Sequence, residues 1–160
     1  MLNTGGETLV AVGRAIDGDT YVVSGLNVAA IVRLVGFDAP ERSQSRGQEC
    51  LRAIKPMVEG RNFWCAVRGL DPYGRILVQL WAEHGHGDLA LVLLGDGLGW
   101  CVRSHAPDPA RYMKAEAKAR KDGKGLWQDP DPIAPWVWRR MMPHFRHDPM
   151  GAYHRRHRGA

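Results

Sequence analysis

Two short stretches carry the residue types from which a reactive site could be built. They read Ile16-Asp17-Gly18-Asp19-Thr20-Tyr21-Val22-Val23 and Ile31-Val32-Arg33-Leu34-Val35-Gly36-Phe37-Asp38-Ala39-Pro40-Glu41. Both are apolar and strand-like, and both carry carboxylates at one end. Carboxylates do not stabilise strands, and an arginine between apolar neighbours is costly to bury without a partner. A hard dication held by Asp19 and Asp38, with Arg33 facing an anion beside it, would offset that cost. Read singly, the pieces are ordinary. Asp17-Gly18 is a good hairpin turn, because both residues tolerate positive φ. Phe37 to Glu41 alone reads as a strand end running into a solvated loop. Taken together, with Arg33 just ahead of Asp38 and with Asp71-Pro72-Tyr73-Gly74-Arg75 downstream, they point to a site.

The elements that must position these residues follow from periodicity and turn chemistry. Leu9 to Ile16 reads as a strand, with Tyr21 to Val23 as its hairpin partner and Val28 to Val35 as a third strand. The third is apolar on both faces, as in a small closed barrel covered outside by helices, and Arg33 would point to the barrel mouth. Gln48 to Gly60 has Leu51, Ile54 and Val58 at helical spacing, but Pro56 predicts a kink or a short helix. Phe63 to Val67 and Ile76 to Trp81 are two further strands. Asp88 caps a helix over Leu89 to Leu94, and Leu98 to Val102 reads as a brief strand. Asp108-Pro109 opens a helix that runs to Lys121 and stops at Gly123. Five strands and three helices give an α+β fold, a five-stranded OB-fold β-barrel of a kind whose mouth binds polyanions in many proteins.

Length and composition set the outer bounds. At 160 residues, 44% hydrophobic and 24% charged, the chain is one domain's worth of ordinary globular sequence. A net charge of +5 and a pI of about 9.4 imply an anionic partner, nucleic acid ahead of an acidic membrane surface. Cys50, Cys65 and Cys101 are an odd count without close pairing, so no disulfide framework is implied and a Cys65–Cys101 bridge stays open. No apolar run is long enough to span a membrane, and Met1 to Glu7 shows no secretory signal, so cytoplasmic placement is the default expectation. His84-Gly85-His86, and Cys101 with His105, fall short of zinc-site spacing; the histidines read as surface residues, and the cysteines as reduced and mostly buried. Trp127, Trp136 and Trp138 read as packing for the C-terminal end. Residues 1–138 form the expected domain. Residues 139–160, with His144, Arg146, His147 and the His154 to Arg158 run, form a basic tail expected to be flexible.

Asp19, Arg33, Asp38, Glu41 and Arg75 stand in an order and context that resembles the staphylococcal nuclease (thermonuclease) family. The similarity runs from about Thr8 to Arg139 and includes Gly97-Leu98, Gly125-Leu126-Trp127 and Pro135-Trp136-Val137-Trp138-Arg139. The resemblance implies that Asp19, Asp38 and the Ala39 carbonyl hold a cation, calcium by family and magnesium by ligand type almost as well. It implies that Arg33 and Arg75 converge as phosphate clamps, a role suited to planar guanidinium, and that Glu41 orients or deprotonates the attacking water. The expected activity is sequence-tolerant endo- and exonucleolytic cleavage of single- or double-stranded DNA and RNA by a monomer, leaving 3′-phosphates.

Several positions depart from the pattern. Ala39 stands where threonine is common, and Pro72 where the staphylococcal enzyme has a lysine, while Tyr73 is kept. Arg103 and His105 replace two tyrosines. They are candidates to grip a phosphate and to stack on a base, and equally to be surface residues. The rival reading is an OB-fold module that binds nucleic acid or protein without cleaving. Retention of Arg33, Glu41 and Arg75, all dispensable to such a module, weighs against it. On the nuclease reading, removing either clamp arginine lowers turnover but spares the melting point, and removing Asp38 abolishes metal dependence and relieves repulsion among the acids.

Overall fold

A computed structural model describes residues 6–85 and 87–142. Strands β1 (Thr8–Ala15), β2 (Thr20–Leu26), β3 (Val28–Leu34), β5 (Arg61–Leu70) and β6 (Ile76–Ala82) close into a barrel in the order β1-β2-β3-β6-β5. All neighbours are antiparallel except β3 and β6, which run parallel with Arg33 opposite Leu77. A separate two-stranded ladder pairs β4 (Phe37–Asp38) with β7 (Trp100–Cys101), placing Asp38 opposite Trp100. The stretch from Phe37 is therefore a paired strand rather than the edge of a loop. The strand expected over Leu98 to Val102 is only these two residues long.

Helices α1 (Gly47–Val58), α2 (Leu89–Gly95), α3 (Pro109–Lys121) and α4 (Pro135–Met141) pack around the barrel. The fourth corrects the expected three. It was hidden because seven residues are too few to show a period, although Pro135 at its first position is a good start signal. It also carries Arg139 to Met141, past the expected domain boundary at 138. The rest of the basic stretch, residues 143–160 with His144, Arg146, His147 and His154 to Arg158, lies outside the described residues. So does His86. Pro56 neither ends nor shortens α1, which keeps 12 residues with the proline near its end. Asp88 and Asp108 cap α2 and α3 as expected, accepting from the backbone N–H groups of Ala90 and Arg111.

One core joins the layers. Val12, Tyr21, Val32, Leu34, Ile54 and Leu80 are fully enclosed, and Leu93, Tyr112 and Leu126 bring the helices onto them. Cys50, Cys65 and Cys101 are free and buried, and burial pushes their thiols up to about 12, about 11 and about 11. They are packing residues, not nucleophiles. Trp127 meets Trp100 edge-on at 5.3 Å, with Arg120 stacked 3.8 Å over its ring, so this tryptophan packs as expected.

The β1–β2 hairpin tip lies against the segment after β4. The Tyr21 hydroxyl donates to the Gly18 carbonyl at 2.6 Å and holds the tip down. A Cβ on Gly18 would stand 2.5 Å from the Ala39 Cβ and 3.0 Å from the Ile54 side chain. Gly18→Ala should therefore lower stability by about 1–3 kcal/mol through overpacking, read from urea midpoints. An unchanged midpoint would show that the tip can lift from Ala39 without loss.

Candidate active site

The barrel pairing dictates which side chains share the mouth. Thr20 lies opposite Arg33 in the β2–β3 ladder, and the Asp19 carbonyl accepts from the Leu34 N–H at 2.9 Å. Asp19 thus sits beside Arg33. The Arg33 Nη1 is 3.0 Å from Asp19 Oδ1, and its Nη2 is 3.1 Å from Asp38 Oδ1. One planar guanidinium straddles two buried carboxylates, only 4% and 3% exposed. Asp19 also accepts from the Thr20 hydroxyl at 2.8 Å and, at Oδ2, from the Ala39 N–H at 3.1 Å.

Burial works against charge on Asp19, but Arg33, these two hydrogen bonds and Arg75 outweigh it and hold the carboxyl below its ordinary 3.8. Burial likewise opposes charge on Arg33, and Asp19 and Asp38 more than restore it.

Arg75 enters from the turn before β6. Asp71 builds that turn: its Oδ1 accepts from the backbone N–H groups of Tyr73 and Arg75, both at 2.9 Å, and its Oδ2 accepts from Arg75 Nε at 2.6 Å. Gly74, at φ +80, supplies the left-handed residue the turn requires. Against partial burial, these bonds lower the Asp71 carboxyl. The same guanidinium reaches Thr20 Oγ1 at 3.4 Å, next to Asp19, and lies 5.6 Å from the exposed Tyr73 ring.

A cavity of about 850 Å³ opens over this cluster, lined by Asp19, Arg33, Asp38, Ala39, Glu41, Tyr73, Arg75 and His105. Eight of the nine predicted site residues therefore share one wall system. Arg103 does not. It is exposed at the start of a single helical turn, Arg103–His105, and is absent from the cavity lining, so its assignment as a phosphate grip is not supported. Pro72 lines the cavity as an apolar patch.

Sequence reasoning missed the contribution of α4. Trp136, Arg139 and Arg140, at i, i+3 and i+4, present one helical face to the cavity. Trp136 is 40% exposed there, so unlike Trp127 it is not core packing. Arg139 donates to Glu41 Oε1 and Asp38 Oδ2, each at 2.7 Å, and lies 3.3 Å from Asp38 Oδ1. Gln44 aligns the two sides, accepting from the Glu41 N–H at 2.7 Å and donating to the Ile133 carbonyl at 2.8 Å. Pro135, a good residue for opening a helix, was the available signal.

Among the described residues, no three acidic, histidine or cysteine side chains gather as a metal cluster. A cation here would rest on Asp19 and Asp38, completed by backbone and solvent oxygen. Those two donors fit a hard dication: both are oxygen ligands, both face the open cavity, and both already draw guanidinium groups.

A mixed five-stranded barrel with acids and guanidinium groups at its mouth, packed with helices, is an OB-type α+β domain. Residues 31–129 match the family model described as staphylococcal nuclease homologue. A protein of Escherichia coli named "Uncharacterized endonuclease" is 35% identical over 126 residues, covering 79% of this chain and 81% of its own length. A Haemophilus influenzae protein of the same name is 35% identical over 125 residues, covering 78% and 68%. The micrococcal nuclease of Shigella flexneri is 31% identical over 135 residues, covering 79% and 78%. The chain belongs to the staphylococcal nuclease family.

The lowered Asp19 carboxyl has a pH consequence. Unfolding returns it to its ordinary value, so in acid the unfolded chain takes up the proton first. The stabilisation is complete above that value and is lost as pH falls through the lower native one. The melting temperature of Asp19→Asn should therefore fall less steeply than wild type below about pH 4, by calorimetry across that range. Parallel acid limbs would mean that Asp19 is not held in its charged form.

Proposed function

We propose that this chain is a calcium-dependent nuclease that hydrolyses phosphodiester bonds of DNA and RNA with little sequence preference. The observation that carries the reading is the meeting of Asp19, Arg33, Asp38, Glu41 and Arg75 around one open cavity, from separate strands, turns and loops of the chain. Family membership and relatives named as nucleases support it.

The geometry supports the following division of labour. Asp19, Asp38 and the Ala39 carbonyl hold the cation, with magnesium as the second choice by ligand type. When bound, a hard dication supplies neutralisation of the charge that builds on the phosphoryl oxygens. Arg33 and Arg75 are fixed by Asp19, Asp38 and Asp71, so their outward N–H groups are aimed before substrate arrives. Glu41 orients or deprotonates the attacking water. Tyr73 and His105 flank the cavity and offer ring surfaces to bases. Single strands are preferred, since an open groove accepts an unpaired backbone more readily than a duplex. Products end in 3′-phosphates and 5′-hydroxyls.

Digestion of plasmid DNA, a single-stranded oligonucleotide and RNA, with calcium, magnesium or chelator, tests this directly. Cleavage with calcium, its arrest by chelator, and 3′-phosphate ends are expected. Intact substrate that is still retained on the protein would favour a binding module.

Arg33→Ala and Arg75→Ala should each lower turnover about a hundredfold or more. Unlike the sequence-based expectation, Arg33→Ala should also destabilise, by about 3 kcal/mol, because two buried carboxylates lose their shared partner. Normal cutting by either variant removes that arginine from the clamp, and an unshifted urea midpoint for Arg33→Ala refutes the bridging role.

A further inference from the structure

Arg139 occupies the carboxylate oxygens that a cation would need. Asp38 Oδ2 faces Arg139 Nη2 at 2.7 Å, Asp38 Oδ1 is shared between Arg33 and Arg139, and Glu41 Oε1 faces Arg139 Nη1. Of the cavity arginines paired to carboxylates it is the least enclosed, its side chain 35% exposed against 17% for Arg33 and 12% for Arg75. Its anchor is also separable from the barrel. Arg33 belongs to a strand, whereas Arg139 hangs from α4, which Gln44 and the Trp138–Ser43 hydrogen bond hold in place. The side chain can therefore leave without the helix moving.

Charge makes it leave. Asp19, Asp38 and Glu41 against Arg33 and Arg139 leave one net negative charge in the cluster. A dication seated on Asp19 and Asp38 with Arg139 still in place would turn the cluster net positive and set a guanidinium against a like charge at short range. The nearest alternative anion is then a substrate phosphate in the cavity that Arg139 already lines.

We propose that Arg139 is an exchangeable third guanidinium, bound to Asp38 and Glu41 without cation and transferred to a substrate phosphate when the cation binds. This rests on the metal-dependent reading of the site given above. It makes cation and phosphate binding mutually supporting. The cation frees the arginine, and phosphate, by taking up the arginine, clears Asp38 for the cation.

Calorimetric titration of calcium chloride into the nucleic-acid-free full chain separates the outcomes. Arg139→Gln, which removes the competitor, should bind calcium about tenfold tighter than wild type. Addition of a nucleoside 3′,5′-bisphosphate should tighten calcium binding in wild type and do so less in the variant. A merely structural Arg139 would give the opposite, a variant with weaker or equal calcium affinity, and that result overturns the exchange. If neither protein binds calcium, the cation reading of the site fails and the exchange fails with it. Should Arg139→Gln not fold, the arginine side-chain NMR signals of wild type decide. A hindered Arg139 guanidinium is expected to become freely rotating on adding calcium and hindered again with the bisphosphate. Unchanged signals through both additions refute the proposal.

Discussion

Two carboxylates enclosed at the mouth of a closed barrel are costly to hold side by side unless positive charge stands between them. Asp19 and Asp38 are almost wholly enclosed, and Arg33 meets both with one rigid fork. That bridge ties three separately specified pieces: the β1–β2 hairpin tip, the end of β3, and β4. The Ala39 N–H on Asp19 Oδ2 closes the same loop from the other side. Displacing any one of these pieces would strand a charge in a poorly solvated place, so the hairpin, the strand and the ladder hold one another in register.

The parallel pairing of β3 with β6 does the complementary work. In an antiparallel meander, Arg33 near the end of one strand and Arg75 just before another would fall where turn lengths happened to leave them. The parallel step sets Val32 beside Ile76, close enough for the Arg75 guanidinium to reach the Thr20 hydroxyl at 3.4 Å. Asp71 then fixes the direction of Arg75 through both backbone and side chain. A parallel step needs a long crossover, and α1 with β5 provides it. The barrel is thus less a container than a means of bringing strand ends from distant parts of the chain to one rim.

What could be read from the chain was what lies close together in it. The spacing of Asp19, Arg33, Asp38 and Glu41 survives folding because a hairpin and a short turn join them, and Asp71-Pro72-Tyr73-Gly74-Arg75 is a self-contained turn. Caps at Asp88 and Asp108 were legible for the same reason. Arg139 was not, since its partners lie about a hundred positions earlier. Only the placement of α4 by Gln44 and Ser43 brings them together. For Arg103 the structure has the surface alternative: a position inferred by alignment from Gly97-Leu98 carried no information about where a short helical turn would aim it. The expectation that removing Asp38 relieves repulsion left out Arg139, which joins the foreseeable Arg33 as a second guanidinium on that carboxylate.

The pairings also separate capture from positioning. Arg33, Arg75 and Arg139 are each committed to carboxylates, which cancels much of their long-range field while fixing their direction. Arg140, exposed on the same α4 face, has no carboxylate partner among the described residues and keeps its field. Uncompensated rim charge raises the rate at which a polyanion arrives, whereas pre-aimed, partnered charge discriminates geometry once it has arrived. A phosphate that takes hydrogen bonds from Arg33 and Arg75 need not strip them from Asp19, Asp38 and Asp71, since a guanidinium has five donors and these contacts use only some of them. On the proposed reading, the acids that would compete with a substrate phosphate are therefore what spare the arginines from reorganising when it binds, and the cost of ordering them is met in folding instead.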